Sequence, residues 1–275
     1  MGVTTELVIS TYNSPGALRL CMATALRQDP MPDGICIADD GSGPETAAVV
    51  ADLAARAPVP VRHVWHEDRG FEKGAILNRA IATSGADYLV FTDGDVLMAP
   101  GFVGRHRALA RRGRFVSGSL IRLGAAATAT VTEAMVADGT ATDRRWLAGV
   151  GALAGLSSWL KTAPLPLPLL GLVERLLPLR RSMMGSNASA FRDDLLAVNG
   201  YDERIKYGGQ DKDLGERMKL AGMSGRHARF TAVAVHLDHP RGYDRPEVRA
   251  RNRAIRAETK ALRRAVTPYG IVRAG

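Results

Sequence analysis

Tyr88-Leu89-Val90-Phe91-Thr92-Asp93-Gly94-Asp95 is the stretch that decides how this chain folds. A short apolar run, bounded by polar residues, stops at two carboxylates separated by one glycine. The run predicts a buried strand over Asp87–Thr92, so Asp93 and Asp95 fall just past its C-terminal end. In open α/β sheets that edge is where ligands bind. Two carboxylates one residue apart, after a buried strand, make a hard-oxygen site for Mn²⁺ or Mg²⁺. Such an ion would clamp a diphosphate and neutralise charge on a leaving nucleotide. A turn with solvated aspartates is the competing reading of D-G-D taken alone.

Working back from this strand, the chain alternates strand and helix patterns, the signature of a mostly parallel sheet. Strands are predicted over Glu6–Thr11, Gly34–Ala38 and Val61–Trp65. Helices are predicted from Ser14-Pro15 onward, over Glu45–Arg56 and over Glu72–Thr83. Ser10-Thr11-Tyr12-Asn13 ends the first strand with hydroxyls and an aromatic ring, suited to hold a nucleobase. Asp39-Asp40-Gly41-Ser42 ends the second, where a carboxylate could accept the imide N–H of uracil or thymine. A plain turn explains D-D-G-S equally well in isolation.

Forward of the strand, Gly101–Arg111 reads as a helix and Phe115–Leu123 as one further strand. Composition then shifts. Trp146–Leu179 holds twelve leucines, four prolines and only three charges, Lys161, Glu174 and Arg175. Its uncharged run Trp146–Leu160 is shorter than the roughly 20 residues that span a bilayer, and Pro164, Pro166 and Pro168 would break a helix. Two short apolar helices around a proline-rich elbow are expected. They could form a buried insertion, an acceptor-side lid or a wedge in a membrane interface. Regular structure resumes with a strand over Met183–Phe191, helices over Asp193–Val198 and Asp211–Ala221, and a strand over Phe230–Leu237. Tyr207-Gly208-Gly209-Gln210-Asp211-Lys212-Asp213 enters the second of these helices. Its paired glycines admit a ligand to the backbone, and Asp211 could take a proton from an acceptor hydroxyl; capping the helix is the plainer role for such an aspartate. A helix over Arg245–Ala265 closes the chain, with Val248, Ala254, Ile255, Ala261 and Leu262 as a thin apolar stripe.

The 275 residues are enough for a full core, and 46% hydrophobic with 24% charged residues excludes wholesale disorder. Two cysteines, Cys21 and Cys36, are too few for a disulfide framework and read as buried thiols. The first residues lack a signal-peptide pattern, and the expected location is the cytoplasm. The net charge is +9, of which Arg241–Arg264 carries +6. That concentration points to an anionic partner or to an ordinary solvated face.

In order, S-T-Y-N, D-D-G-S, D-G-D, Y-G-G-Q-D and His236-Leu237-Asp238-His239-Pro240 resemble family 2 of the inverting glycosyltransferases, with the GT-A fold. Gly70-Phe71-Glu72-Lys73-Gly74 to Asn78-Arg79, Gly185-Ser186-Asn187 and Gly200-Tyr201-Asp202-Glu203 resemble its bacterial chondroitin-polymerase and galactosyltransferase-like branch. The resemblance covers roughly Leu7–Gly124 and Met183–Pro240. It implies one GT-A catalytic domain over residues 1–240, with a donor half (1–124), an apolar insertion (125–182) and an acceptor half (183–240), followed by a basic helix and tail (241–275). It further implies that Ser10 and Tyr12, with Thr11 and Asn13 beside them, hold the uracil and that Asp40 reads its N3 proton. Asn78, Asp93, Gly94 and Lys73 would lie near ribose and sugar. Asp95 would bind Mn²⁺ (or Mg²⁺) directly, joined by His236, with His239 as the alternative. Asp211 would be the catalytic base, and Gly209, Gln210 and Asp213 would face the acceptor.

The branch pattern W-G-G-E-D-D-D is Y-G-G-Q-D-K-D here, so Gln210 replaces the expected glutamate and cannot act as a base. The expected donor is a UDP-sugar, with dTDP- or GDP-sugars as alternatives. The expected acceptor is a saccharide or lipid-linked glycan of the cell envelope, met at the inner face of an anionic membrane. Two other classes are weighed: an inactive nucleotide-sugar-binding protein, and a basic nucleic-acid-binding protein. At 5% aromatics, not interleaved with the basic cluster, a base-stacking surface is not expected, nor is a nucleic-acid partner.

Overall fold

Through the middle of the first strands, at Leu7–Ile9, Ile35–Ala38 and Tyr88–Phe91, the residues are apolar or small on both faces, and alternation sends them to two cores. Leu7, Ile9, Ile35, Ile37, Tyr88 and Val90 pack on one side; Val8, Cys36, Ala38, Leu89 and Phe91 pack on the other. Only a sheet covered by helices on both faces buries such strands. A computed structural model, which describes residues 2–177, 182–240 and 245–272, has that arrangement. Its strands are β1 (Thr5–Thr11), β2 (Gly34–Asp39), β3 (Val61–Trp65), β4 (Tyr88–Asp93), β5 (Val96–Met98), β6 (Arg114–Ser117), β7 (Ser119–Arg122), β8 (Asn187–Phe191), β9 (Ser224–His227) and β10 (Val233–His236).

The main sheet runs β3-β2-β1-β4-β8-β6-β9. β3, β2, β1 and β4 are parallel, and β8 enters antiparallel between β4 and β6. The Pro15–Ala25, Pro44–Arg56 and Phe102–Ala108 helices contribute to the first core, and the Lys73–Thr83, Arg192–Ala197 and Gln210–Leu220 helices to the second. Cys21 and Cys36 are free and buried, one in each core. Burial pushes both thiols up, Cys36 to about 12.

The single strand expected over Phe115–Leu123 is two. β6 stays in the main sheet, and β7 joins a second sheet of order β5-β10-β7. The switch falls at Gly118, where a Cβ would lie 2.2 Å from Asn187 Oδ1 and 2.3 Å from the Ala232 carbonyl. Asn187 Nδ2 donates to the carbonyls of Ser119 and Ala232, so one buried amide ties the two sheets together. The short strands β5 and β9 carry too few residues to show a period and were not anticipated.

The insertion divides in two. Ala127, Val136, Ala141, Leu147 and Leu153 bury against Leu97, Ile121, Val235 and Leu237 of the small sheet and its flanks. The two apolar helices expected around the elbow are Leu156–Lys161 and Leu167–Leu176. They leave Leu156, Trp159, Leu165, Leu167, Leu169, Leu172 and Leu176 exposed. The buried Glu174 carboxylate fastens the second helix by accepting from Phe230 N (2.7 Å) and Thr231 N (2.9 Å). Residues 178 and 179 of the leucine-rich stretch, and 241–244 of the basic one, lie outside the described residues. The last helix, Pro246–Ala261, buries Asn252, Ile255 and Thr259; Ala254, Ala261 and Leu262 of the expected apolar stripe are exposed.

Candidate active site

The C-terminal ends of β1, β2 and β4 open into a cleft of about 740 Å³. Ser10, Thr11, Tyr12, Asn13, Asp40, Lys73, Asp93, Gly94, Asp95, Gly209, Gln210, Asp211 and His236 line it, as the sequence implied. Asn78 and Asp213 do not. Asn78 is buried and bonded to Tyr201 N and O and to Glu203 Oε1. Asp213 is buried against Arg217, 2.7 Å away on the same helix face. Both are held by structure rather than turned toward a ligand.

At the β2 end of the cleft, Asp40 accepts from His66 Nε2 (2.8 Å) and the Glu72 amide (3.0 Å). Burial outweighs these bonds and pushes its carboxyl up to about 6. Asn13 is committed locally, with Oδ1 accepting from Gly43 N, and Tyr12 donates to Asp68 at 2.9 Å. Phe71 and Tyr207 meet edge to face at 5.6 Å along the cleft wall.

In the middle, Asp93 accepts from Ser10 Oγ (2.9 Å) and pairs with Lys73 Nζ (2.5 Å). Burial works against the Lys73 charge, but Asp93, Asp211 and Asp95 together outweigh it and hold its pKa high. Asp93 is held low, because Lys73 and Ser10 overcome its burial.

At the third corner, β5 and β10 pair antiparallel with His236 opposite Val96, and Leu237 N donates to Asp95 O. This register sets Asp95 beside both histidines. The ligand atoms of Asp95, His236 and His239 lie within 4.8 Å of one another. Asp95 Oδ1 is buried without a hydrogen-bond partner. Burial and the Asp93 charge push Asp95 up, while burial pushes His236 down and keeps it neutral, as a metal ligand must be. One carboxylate and two imidazoles with an orphaned oxygen fit a divalent cation and leave positions open for diphosphate oxygens.

Asp211 sits in the first turn of the Gln210–Leu220 helix. Gly208 (φ 88°) and Gly209 (φ 108°) precede it, both left-handed, which is why the motif needs paired glycines. Burial, with repulsion from Asp93, pushes the Asp211 carboxyl up, and its Oδ1 lacks a hydrogen-bond partner. Behind the loop, Asn252 Nδ2 donates to the carbonyls of Tyr207 (2.7 Å) and Gly208 (3.0 Å).

Ser186, within the Gly185-Ser186-Asn187 motif, also lines the cleft, as do Arg122 and Met184, which the sequence reading did not single out; nor did it single out His66, the partner of Asp40. His66 follows a strand end, the same rule that singled out Asp40 and Asp93.

Among solved structures, the fold matches a mannosyltransferase from Pyrobaculum calidifontis in complex with GDP-Man and Mn²⁺, at 19% identity and TM-score 0.58, over 96% of this chain. This chain spans 65% of that protein's length. It also matches glucosyl-3-phosphoglycerate synthase from Mycobacterium tuberculosis in complex with Mn²⁺ and UDP-Glc, at 18% identity and TM-score 0.51, over 97% of this chain and 80% of that one. Likeness at these identities speaks to the fold. A search of curated proteins gives no match. Residues 179–240 match the family described as N-terminal domain of galactosyltransferase, and residues 6–131 match glycosyl transferase family 2. The two matched stretches carry the strands and loops that line the cleft, and the fold is the GT-A fold of these glycosyltransferases.

Proposed function

We propose that this protein is an inverting, Mn²⁺-dependent glycosyltransferase that moves a sugar from a UDP-sugar to a hydroxyl of a saccharide or lipid-linked glycan. The observation that carries the reading is one cleft holding three separate carboxylate functions, at Asp40, Asp95 and Asp211. Asp40 accepts the uracil N3–H, and Ser10 and Tyr12 flank the base. Asp95, His236 and His239 hold the cation; two imidazoles favour Mn²⁺ over Mg²⁺, which prefers an all-oxygen shell. Held there, a divalent cation would supply positive charge against the leaving diphosphate. Lys73 keeps Asp93 ionised and in place beside the sugar.

Asp211 accepts the acceptor's hydroxyl proton as that oxygen attacks the anomeric carbon. The bond to the UDP oxygen breaks on the opposite face, so the configuration inverts in one displacement. A buried carboxylate with a raised pKa is a stronger base than a solvated one, which suits Asp211 to this task. Gln210 serves the acceptor only as a hydrogen-bond partner.

The reading places the enzyme in the cytoplasm, against the inner face of a membrane. No described helix is long and apolar enough to cross a bilayer. The exposed leucines of the two insertion helices supply an interfacial face instead, with Leu156 and Leu176 each about three-quarters exposed.

A thermal-shift titration tests the core of the proposal. UDP with Mn²⁺ is expected to raise Tm by several degrees, since a ligand bound only by the native state stabilises it. Asp95→Ala is expected to fold normally and lose the Mn²⁺-dependent part of that shift. An equal UDP shift in excess EDTA would overturn the metal assignment.

A further inference from the structure

The β7 edge of the small sheet carries positive charge that no carboxylate among the described residues neutralises. Lys161, half-buried at the end of its helix, donates Nζ to the Leu120 carbonyl at 2.7 Å. Two residues further along β7, Arg122 lies opposite His236 in the β7–β10 register and lines the cleft. Arg229 reaches the same helix, donating to Ser157 Oγ at 2.6 Å, while its own carbonyl accepts from Ser119 Oγ. Among the described residues, none of these three cations forms an ion pair. Burial lowers the Lys161 pKa, and the charges of Arg229 and Arg122 lower it further.

Holding an ammonium half out of water beside two guanidinium groups is unfavourable unless an anion completes the group. The diphosphate of a donor already has its neutralising partner in a cation held by Asp95, His236 and His239. A second basic group next to that corner therefore serves a second anion. Two guanidinium forks and an ammonium suit the three oxygens of a phosphoryl group.

We propose that Arg122, Lys161 and Arg229 form a phosphoryl-binding subsite beside the metal corner of the cleft, which receives a phosphate carried by the acceptor. The assignment to the acceptor rests on the transferase reading above. A soluble phosphate ester and a lipid phosphate share this chemistry. The helix that ends in Lys161 also exposes Leu156 and Trp159, apolar surface on which a hydrocarbon chain could continue.

Calorimetric titration with glycerol phosphate, with dodecyl phosphate below its micelle concentration and with neutral dodecyl maltoside tests this, on protein held with and without saturating UDP and Mn²⁺. Glycerol phosphate is expected to bind equally with UDP and Mn²⁺ present. Lys161→Gln and Arg229→Gln are each expected to weaken it about tenfold or more, the scale of one hydrogen bond to a charged group. Lys161→Arg should restore binding, and Arg253→Gln, an exposed cation on the last helix, should leave it unchanged. Dodecyl phosphate binding at least tenfold tighter than glycerol phosphate assigns a lipid phosphate, and equal affinity a soluble one. Displacement of glycerol phosphate by UDP, wild-type affinity in Lys161→Gln, or equal weakening in Arg253→Gln would each overturn the subsite. Failure of UDP and Mn²⁺ to bind at all would instead overturn the transferase reading, while the titrations without UDP still report on the three cations.

Discussion

Three carboxylates with raised pKa values, Asp40, Asp95 and Asp211, lie in the same cleft, and titration separates the roles proposed for the first and the last. Asp40 is pushed up to about 6 by burial, so it contributes stability below the ordinary carboxylate range, and that contribution is lost as pH rises through 6. Accepting an imide proton requires the opposite, ionised form. Uridine affinity, measured without metal, is therefore expected to rise about tenfold from pH 5 to pH 7, the change in ionised fraction across a pKa of 6. Asp40→Asn should abolish that rise, and a flat wild-type profile would refute the contact. Asp211→Asn is expected to lower the rate about 10²-fold or more at nearly unchanged donor affinity. Asp213→Asn, its charge buried against Arg217, should act on Tm instead. A normal rate in Asp211→Asn with a crippled Asp213→Asn would move the base by half a helical turn. At this scale the sequence showed the carboxylates well, because strand ends and paired glycines mark them. It could not show Asn78 and Asp213 turning inward, since a polar residue reads alike whether it meets a ligand or a backbone carbonyl.

The switch between sheets rests on one glycine. Gly118 lets the chain leave the main sheet after β6 and enter the small one as β7, and thereby brings Arg122 beside His236. A Cβ there would collide with the Asn187 amide, itself bonded to His106, whose burial lowers its pKa to about 4 and keeps it neutral. Gly118→Ala is expected to cost about 1–3 kcal/mol or more, the range for overpacking a filled core. Differential scanning calorimetry should show Tm lower by several degrees, at about 2–4 °C per kcal/mol for a chain of this size. An unchanged Tm would mean that the two sheets are not locked at this point. The long periodic elements were legible: β3 has the expected bounds, and the Pro44–Arg56 and Lys73–Thr83 helices differ from expectation by one residue. The break at Gly118 was not, because Phe115-Val116 and Leu120-Ile121 flank a Ser-Gly-Ser step that one continuous strand also accommodates, and only tertiary pairing divides them.

For the whole molecule, the leucine-rich insertion and the basic helix are the two features that could meet an anionic membrane together. The helix weakens that pairing in part: Arg256 lies 3.6 Å from Glu216 and packs beside Gly209, so it is not a free surface charge. The exposed leucines carry more of the argument. Flotation with anionic liposomes is expected to recover the protein at low salt, with Leu172→Asp and Leu176→Asp together reducing recovery severalfold, as expected where buried apolar area sets interfacial binding. Absence of flotation at low salt would leave the leucines to a partner surface. The brace behind Asp211 has a different consequence. The segment matching the galactosyltransferase family ends at Pro240, yet Asn252, twelve residues later, carries the carbonyls of Tyr207 and Gly208. A fragment cut at that boundary would keep every matched residue and lose the strut behind Asp211, so the segment that matches and the segment that supports itself have different ends.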